Sequence, residues 1–486
     1  MPFPFVLPTT SAFSFSSCFS CESHPSLAIN ASTQRGILRD ALKKHKRLPP
    51  AGRSGNLATV INSLDGYIPY LFAVDAGVSS QTSVGGEGIS VVLKTAPSIH
   101  WRPTLTGDLV PGRERSRVVT TSLEYEIFFV LSTLGLAYIL TARSLLQPLH
   151  VTTGGFVGPR ERTAVIQAAN KYLLDAASLY DYLAARSEHI SSAPPCVDVA
   201  PCTARALVSL TLAEATLLAV TKDDAYPAAV AQDRNKNDKE WMFKSPEIPK
   251  TKAHLNARLC LAASDHAAKA ASLCKSAGAG SNRISPSLVK YIEDLGKTSR
   301  AKACRFFGIH SEMDGNTAEG IGWLRAGFQA LDVDVRDRDS HKGLRFSRLK
   351  KGLLEKREDG RVERETAWGA DAGRFEETRV LELLDAKWNK INDTMNTQSV
   401  PPVNSLLAKM PSGREICTLQ PYHPPVLDRD VLEAMRAPPD GDDGRVAMDD
   451  ASSDDEASGS PPGPAGAYPA TTDDYGSNPG PRSAYY

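Results

Sequence analysis

The sequence predicts an all-α protein, and three observations carry that reading. From Leu123 onward, apolar residues recur at i, i+3, i+4 and i+7 in segment after segment, the spacing that lines one face of a helix. The breaks between these segments hold Pro, Gly and short polar runs, which end helices by removing a donor or by permitting a left-handed turn. Only residues 89–101, ISVVLKTAPSIHW, read as β-like, two short runs around Ala96-Pro97 that suggest a small N-terminal β-hairpin.

Taken in order, Arg35 to Arg47 is a basic first helix that ends before Pro49. Asn56 to Ala76 follows, apolar at Val60, Leu64, Ile68 and Phe72, with Pro69 inside it as an expected kink. A helix over 123–146 is apolar on all sides, as expected at the centre of a large helical domain. Its apolar run, Ile127 to Ala142, reaches about 24 Å, short of a hydrocarbon core of ~30 Å, and Glu126 and Arg143 bracket it. The next helices read as 161–186 and 202–222, the latter with Pro201 in its first turn. An Ala-rich helix over 252–277 permits close helix contact. Ser285-Pro286 predicts a capped helix start, and Gly296 a stop.

Residues 300–331 read as a helix, a Gly-Asn turn and a second helix, with Asn316 and Glu319 at capping-box spacing. The layout is close to one tetratricopeptide-type unit, but no second copy follows at a fixed period. Residues 332–373 are densely charged, and the basic stretch 344–364 is either an exposed connector or a contact for acidic lipid or an acidic partner. A last helix carries Val380, Leu384, Trp388, Ile391 and Met395 on one face, and Pro401-Pro402 stop it. The extended, Pro-punctuated segment after it must lie back over the body.

Charge is uneven along the 486 residues, although it sums to zero. From Ala437 to the end there are ten acidic residues and two arginines, a balance of −8 that leaves +8 on residues 1–436. Residues 437–486 therefore read as a disordered, acidic, Pro/Gly/Ser-rich tail with too few apolar groups to offset ordering entropy. No dense basic stripe with interleaved aromatics marks a nucleic-acid binder. The eight dispersed cysteines read as reduced thiols, and the Pro-broken N-terminus does not read as a signal peptide.

No catalytic constellation emerges. Cys18 and Cys21 have metal-type spacing, but no second pair completes four ligands. The Gly154-Gly155 loop lacks the GK[ST] ending of a phosphate loop. His254, His266 and His310 read as surface or satisfied core residues. The expectation is a binding protein without metal or cofactor.

Longer strings carry a resemblance. They include MPFPF, LPTTSAF, LRDALKKHKRLPP, NSLDGYIPYLFAVDAG, YEIFFVLSTL, LTLAEATLLAV, GNTAEGIGWLRAG and the closing KWNKINDTMNTQSVPP and MPSGREICTLQPYHPPVLD. Together they resemble the fungal ambient-pH signalling branch of the Alix-like, BRO-domain family. More faintly, DVAPCTARALVSLTLAEATLLA resembles the wider family's DxSPxT…LAQA helix.

The resemblance implies a boomerang-shaped BRO-type domain over 1–430 with a TPR-like core. It implies a non-catalytic adaptor with an apolar patch that receives the C-terminal amphipathic helix of the main ESCRT-III filament subunit, a helix-in-groove contact. By position that patch involves Leu217, Leu218, Val220, Tyr226, Ala229 and Val230. Alix-like proteins carry bulkier residues where this chain has Ala219, Pro227 and Ala228, and core packing is the alternative role for Leu217 and Leu218.

The further implied partners are a plasma-membrane pH-signalling complex with an arrestin-like protein and a calpain-like protease. The implied outcome is proteolytic activation of the transcription factor PacC at alkaline pH. The implied location is the cytoplasm, with recruitment to plasma-membrane or endosomal ESCRT sites and peripheral membrane association. The alternatives are a general endosomal cargo-sorting adaptor of the same family, or an enzyme on a helical scaffold.

Overall fold

The computed structural model describes residues 2–79, 88–107, 115–150, 158–190, 192–227, 249–277, 283–333 and 368–437. The chain divides into two compact units, Met1–Gly444 and Arg445–Tyr486, and every described residue belongs to the first. The Gly154-Gly155 loop, Ala229 and Val230, the basic stretch 344–364 and the acidic tail from 438 onward lie outside the described residues.

Among the described residues, five short strands form two antiparallel sheets: β1 (Thr9–Thr10), β2 (Phe19–Cys21), β3 (Val91–Leu93), β4 (Ile99–Arg102) and β5 (Val118–Thr120). One sheet has the order β1-β4-β5 and the other pairs β2 with β3. Both runs around Ala96-Pro97 are therefore strands, but they do not pair with each other. β3 meets β2, with Phe19 opposite Leu93, while β4 lies between β1 and β5. Pro97 falls in the link between them, where no ladder hydrogen bond is needed.

The helices are α1 (Phe15–Cys18), α2 (Leu27–Arg47), α3 (Pro50–Val78), α4 (Leu123–Leu146), α5 (Pro159–Ser187), α6 (Pro201–Asp223), α7 (Lys250–Ser276), α8 (Pro286–Met313), α9 (Thr317–Ala330) and α10 (Arg374–Ile391). A π turn over Asn392–Asn396, α11 (Val403–Leu407) and α12 (Arg429–Ala434) close the series. From α4 to α9 each helix packs on the next in sequence. Proline stands in the first turn of α3, α5, α6 and α8, where its missing N–H has no helical partner to lose. α3, the stretch Leu123–His150 and α6 are long and apolar enough to cross a membrane, and half or more of each apolar window is buried within the fold.

Four local expectations are corrected. Gly296 does not stop a helix; α8 runs through it, packed against α7 at Ala267, and the Gly296 carbonyl accepts a 3.1 Å hydrogen bond from Ser264 Oγ. Ser285 precedes Pro286 without capping the helix, its hydroxyl lying 2.8 Å from that of Ser287. Asn316 makes no capping bond either; instead Ala318 N–H donates to Gln398 Oε1 at 3.2 Å and Asn396 Nδ2 donates to Thr317 Oγ1 at 2.8 Å. The stripe on α10 ends early: Val380, Leu384 and Trp388 are buried, but Met395 is 78% exposed, because it falls in the π turn over Asn392–Asn396, whose wider winding breaks the α-helical spacing.

Two apolar cores result. The larger gathers α2 to α6, the strands, the C-terminal half of α7 and the N-terminal half of α8. The smaller gathers the start of α7, the end of α8, α9, α10 and α11. α7 and α8 run through both and tie them together.

Glu126 and Arg143 bracket the apolar stretch of α4, Ile127 to Ala142, and both are themselves buried, 0% and 7% exposed. Glu126 accepts from Arg35 Nε at 2.8 Å, Tyr67 OH at 3.0 Å and Trp101 Nε1 at 2.5 Å. One carboxylate so joins α2, α3, β4 and α4, and the charge is tolerated because every neighbour donates to it.

Candidate partner-binding surface

The end of α6 is where the two cores meet, and a buried ion network shapes it. α6 stops at Asp223, and Asp224 turns inward with 3% of its side chain exposed. Arg305 of α8, fully buried, donates to Asp224 Oδ2 at 2.6 Å and to Glu377 Oε1 of α10 at 2.7 Å. Its guanidinium lies 5.6 Å from the Tyr226 ring centroid and 4.4 Å from that of Phe306. Lys302 adds a second cation 3.1 Å from Glu377. Burial alone would raise the Asp224 carboxyl, but the Arg305 guanidinium outweighs it and holds the group below its ordinary value. The turn after α6 is thus fixed from beneath, with Tyr226 N–H donating to Asp224 Oδ1 at 3.2 Å.

On this frame the residues expected from the sequence fall into three sets. Leu217 is half-buried and packs against both cores. Leu218 belongs to the larger core at 4% exposure, and Val220 and Tyr226 to the smaller at 2% and 7%. Ala229 and Val230 lie outside the described residues. Leu217 is therefore the one described member with its side chain partly at the surface, and Leu218, Val220 and Tyr226 form the packed floor beneath it.

The segment after α11 lies back over the body, as expected, and its course runs along this side of the molecule. Arg258 Nε donates to Ser412 O at 3.0 Å, and Arg414 N–H donates back to Arg258 O at 3.0 Å. Gly413 lies against α7, where an added Cβ would stand 2.6 Å from the Ala262 nitrogen. Cys417 reaches Thr216, the neighbour of Leu217, at 3.6 Å. Further on, Tyr422 packs edge-on against Tyr182 of α5, and Leu427, Leu432 and Met435 enter the larger core. Ser26 N–H, just before α2, donates to Met435 O. A single strap therefore joins the late helices to the first and borders α6 beside Leu217.

Sequence reasoning missed the network under this surface, although the signal was present. Arg305 sits on the apolar stripe of α8 with Ala301 and Ile309, and Glu377 sits on that of α10 with Val380, Leu381 and Leu384. A lone charge on an apolar helix face needs a buried partner, and the two such charges here are each other's.

The chemistry available elsewhere is that of packing. Among the described residues no group of three or more His, Cys, Asp or Glu side chains is placed to hold a metal ion. All eight cysteines are free, and burial pushes the thiols of Cys260, Cys274 and Cys304 up to about 12, which suppresses the nucleophilic thiolate. Asp198, buried, accepts from the N–H groups of Thr104, Leu105 and Thr106 and from Thr106 Oγ1, so it fastens a loop. His254 and His310 are half-buried neighbours with rings 5.4 Å apart.

No protein-family model matches the chain. The chain is 39% identical over 506 aligned residues to the pH-response regulator protein palC of Emericella nidulans, covering 97% of this chain and 99% of that protein. It is 30% identical to the palC of Cryptococcus neoformans over 149 residues, 29% of this chain and 28% of that one. Among solved structures it superposes on ALIX in complex with the SIVmac239 PYKEVTEDL late domain, with a TM-score of 0.54 at 14% identity. That match covers 90% of this chain and spans about half of that structure, 51%. An ALIX BRO1–CHMP4C complex gives a TM-score of 0.51 at 14% identity, covering 87% of this chain and 96% of that one. The fold is the Bro1 domain, and the chain belongs to the palC family of pH-response regulators.

Proposed function

We propose that the protein is a non-catalytic adaptor of ambient-pH signalling, one that couples a pH-sensing complex to the ESCRT-III filament subunit and so promotes proteolytic activation of PacC at alkaline pH. The observation that carries this reading is the palC relation along nearly the whole chain, joined to a Bro1 fold whose solved relatives include a complex with CHMP4C, an ESCRT-III protein. The binding patch is the end of α6 and the segment after it. Leu217 is its described surface anchor, Ala229 and Val230 are its extension, and Leu218, Val220 and Tyr226 support it from inside. An amphipathic helix would set its apolar face on Leu217 beside the strap. The adaptor acts in the cytoplasm and is recruited to plasma-membrane or endosomal ESCRT sites, where an arrestin-like protein and a calpain-like protease complete the assembly.

The reading separates from a general cargo-sorting role in cells. A fungal strain lacking this chain should fail to process PacC and grow poorly at alkaline pH while sorting endosomal cargo normally. Normal PacC processing alongside a cargo-sorting defect would contradict it.

A further inference from the structure

A cavity of about 490 Å³ lies where the N-terminal segment, the end of α2, the start of α3 and α4 converge, away from the end of α6. Its volume is in the range of small-ligand sites. One wall is apolar, built from Phe5, Leu57, Leu140 and Trp368, and the rest carries Lys46, Arg53 and Arg143. Among the described residues no Asp or Glu lines it.

The arginines are held in place. Arg143 donates to Pro2 O at 2.7 Å and lies 4.8 Å from the Trp368 ring centroid. Arg53 donates to Leu48 O at 3.0 Å and to Lys46 O at 3.2 Å. The carbonyls of Pro2, Lys46 and Leu48 therefore already accept from guanidinium groups. Ser54, Ser144 and Gln147 line the cavity beside Lys46, Arg53 and Arg143, so its polar part has three cations and no carboxylate among the described residues, which favours a ligand that brings an anionic group and an apolar part.

The ground outside the cavity has the same character. Between Arg39 and Arg53 there are six Lys and Arg residues and one acid, Asp40. Lys44 and Arg47 of the last turn of α2 are exposed, as are Pro49 and Pro50, and Val6 at the rim is 56% exposed. Clustered cations beside a protruding apolar residue suit an anionic membrane surface.

We propose that this end of the molecule is a peripheral membrane contact in which the cavity takes the phosphate headgroup of an anionic phospholipid. The guanidinium groups of Arg53 and Arg143 face the phosphate, Phe5 and Trp368 pack against the start of the acyl chains, and the last turn of α2 lies on the surrounding anionic surface. The contact does not depend on the ESCRT-III reading.

Co-sedimentation of the full chain with phosphatidylcholine vesicles, with or without roughly one part in five phosphatidylserine, tests it. The expected result is sedimentation with the anionic vesicles alone, lost progressively as salt is raised. Lys44→Glu with Arg47→Glu should lower the partition coefficient by at least about tenfold. Lys390→Glu with Lys409→Glu, the same change in net charge at exposed sites elsewhere, should leave it unchanged. Val6→Ser, which alters no charge, should weaken binding several-fold. Equal sedimentation with neutral vesicles would overturn the proposal, as would equal losses in the two charge-reversed variants. Full retention by Val6→Ser would overturn the apolar half of the contact. Capture of a soluble polyglutamate peptide in preference to anionic vesicles would assign the site to an acidic peptide instead.

Discussion

Arg305 is the residue on which the end of α6 depends. It is fully buried between Asp224 and Glu377, so deleting it strands Asp224 away from water and leaves Glu377 to Lys302 alone. Arg305→Met should cost about 3–5 kcal/mol in urea unfolding, whereas replacing all three residues with apolar ones of similar volume should recover most of that loss. The pH dependence follows from the lowered Asp224 value: its contribution is present above the ordinary 3.8 and is lost as pH falls through the lower folded value.

Glu214 has the opposite sign. Burial raises its carboxyl, against the hydrogen bond that Tyr291 OH donates at 2.6 Å. Its contribution is then fully present below 4.5 and is lost as pH rises through the raised folded value. Glu214→Gln keeps the size of the side chain and carries no charge. Its melting temperature should match the parent at acidic pH and exceed it increasingly as pH rises above 4.5; a constant difference would contradict the assignment.

At the scale of elements, helix spans were legible because period and punctuation agree, and the departures came from tertiary contact. Gly296 has the residue type of a stop, yet α8 continues because α7 packs on that face. The early end of the α10 stripe was not legible, since a π turn has no sequence signature of its own here. The crossing of α8 and α9 makes a specific demand on glycine. An added Cβ on Gly308 would stand 3.1 Å from Gly320 O and 3.2 Å from the Trp388 ring, and one on Gly320 would be as close to Gly308 O. Gly308→Ala should cost about 1–3 kcal/mol in thermal or urea unfolding. Gly55→Ala, in α3 with nothing within 4 Å, should instead stabilise by about 0.5–1 kcal/mol. Equal effects of the two would refute the close-packed crossing.

For the whole molecule, the all-α architecture and the returning strap were readable from the pattern of apolar faces and prolines. The division into two cores was not, because it depends on which helices share a neighbour. The patch was placed by resemblance, and only the fold separated Leu217 at the seam from Leu218, Val220 and Tyr226 in the floor. The strap closes the fold by seating Leu427, Leu432 and Met435 in the larger core. A chain ending at Lys409 should therefore lose several °C of melting temperature and bind a hydrophobic dye, and unchanged melting would show that the strap is only an appendage.

The central claim is that the surface around Leu217 takes the ESCRT-III helix, and calorimetric titration of the full chain with that subunit's C-terminal helix tests it most directly. Leu217→Asp should keep the parent's circular dichroism and lose the binding, while Leu218→Asp should lose the fold. Parent-level binding by a folded Leu217→Asp variant, or no binding by the parent chain, would contradict the account.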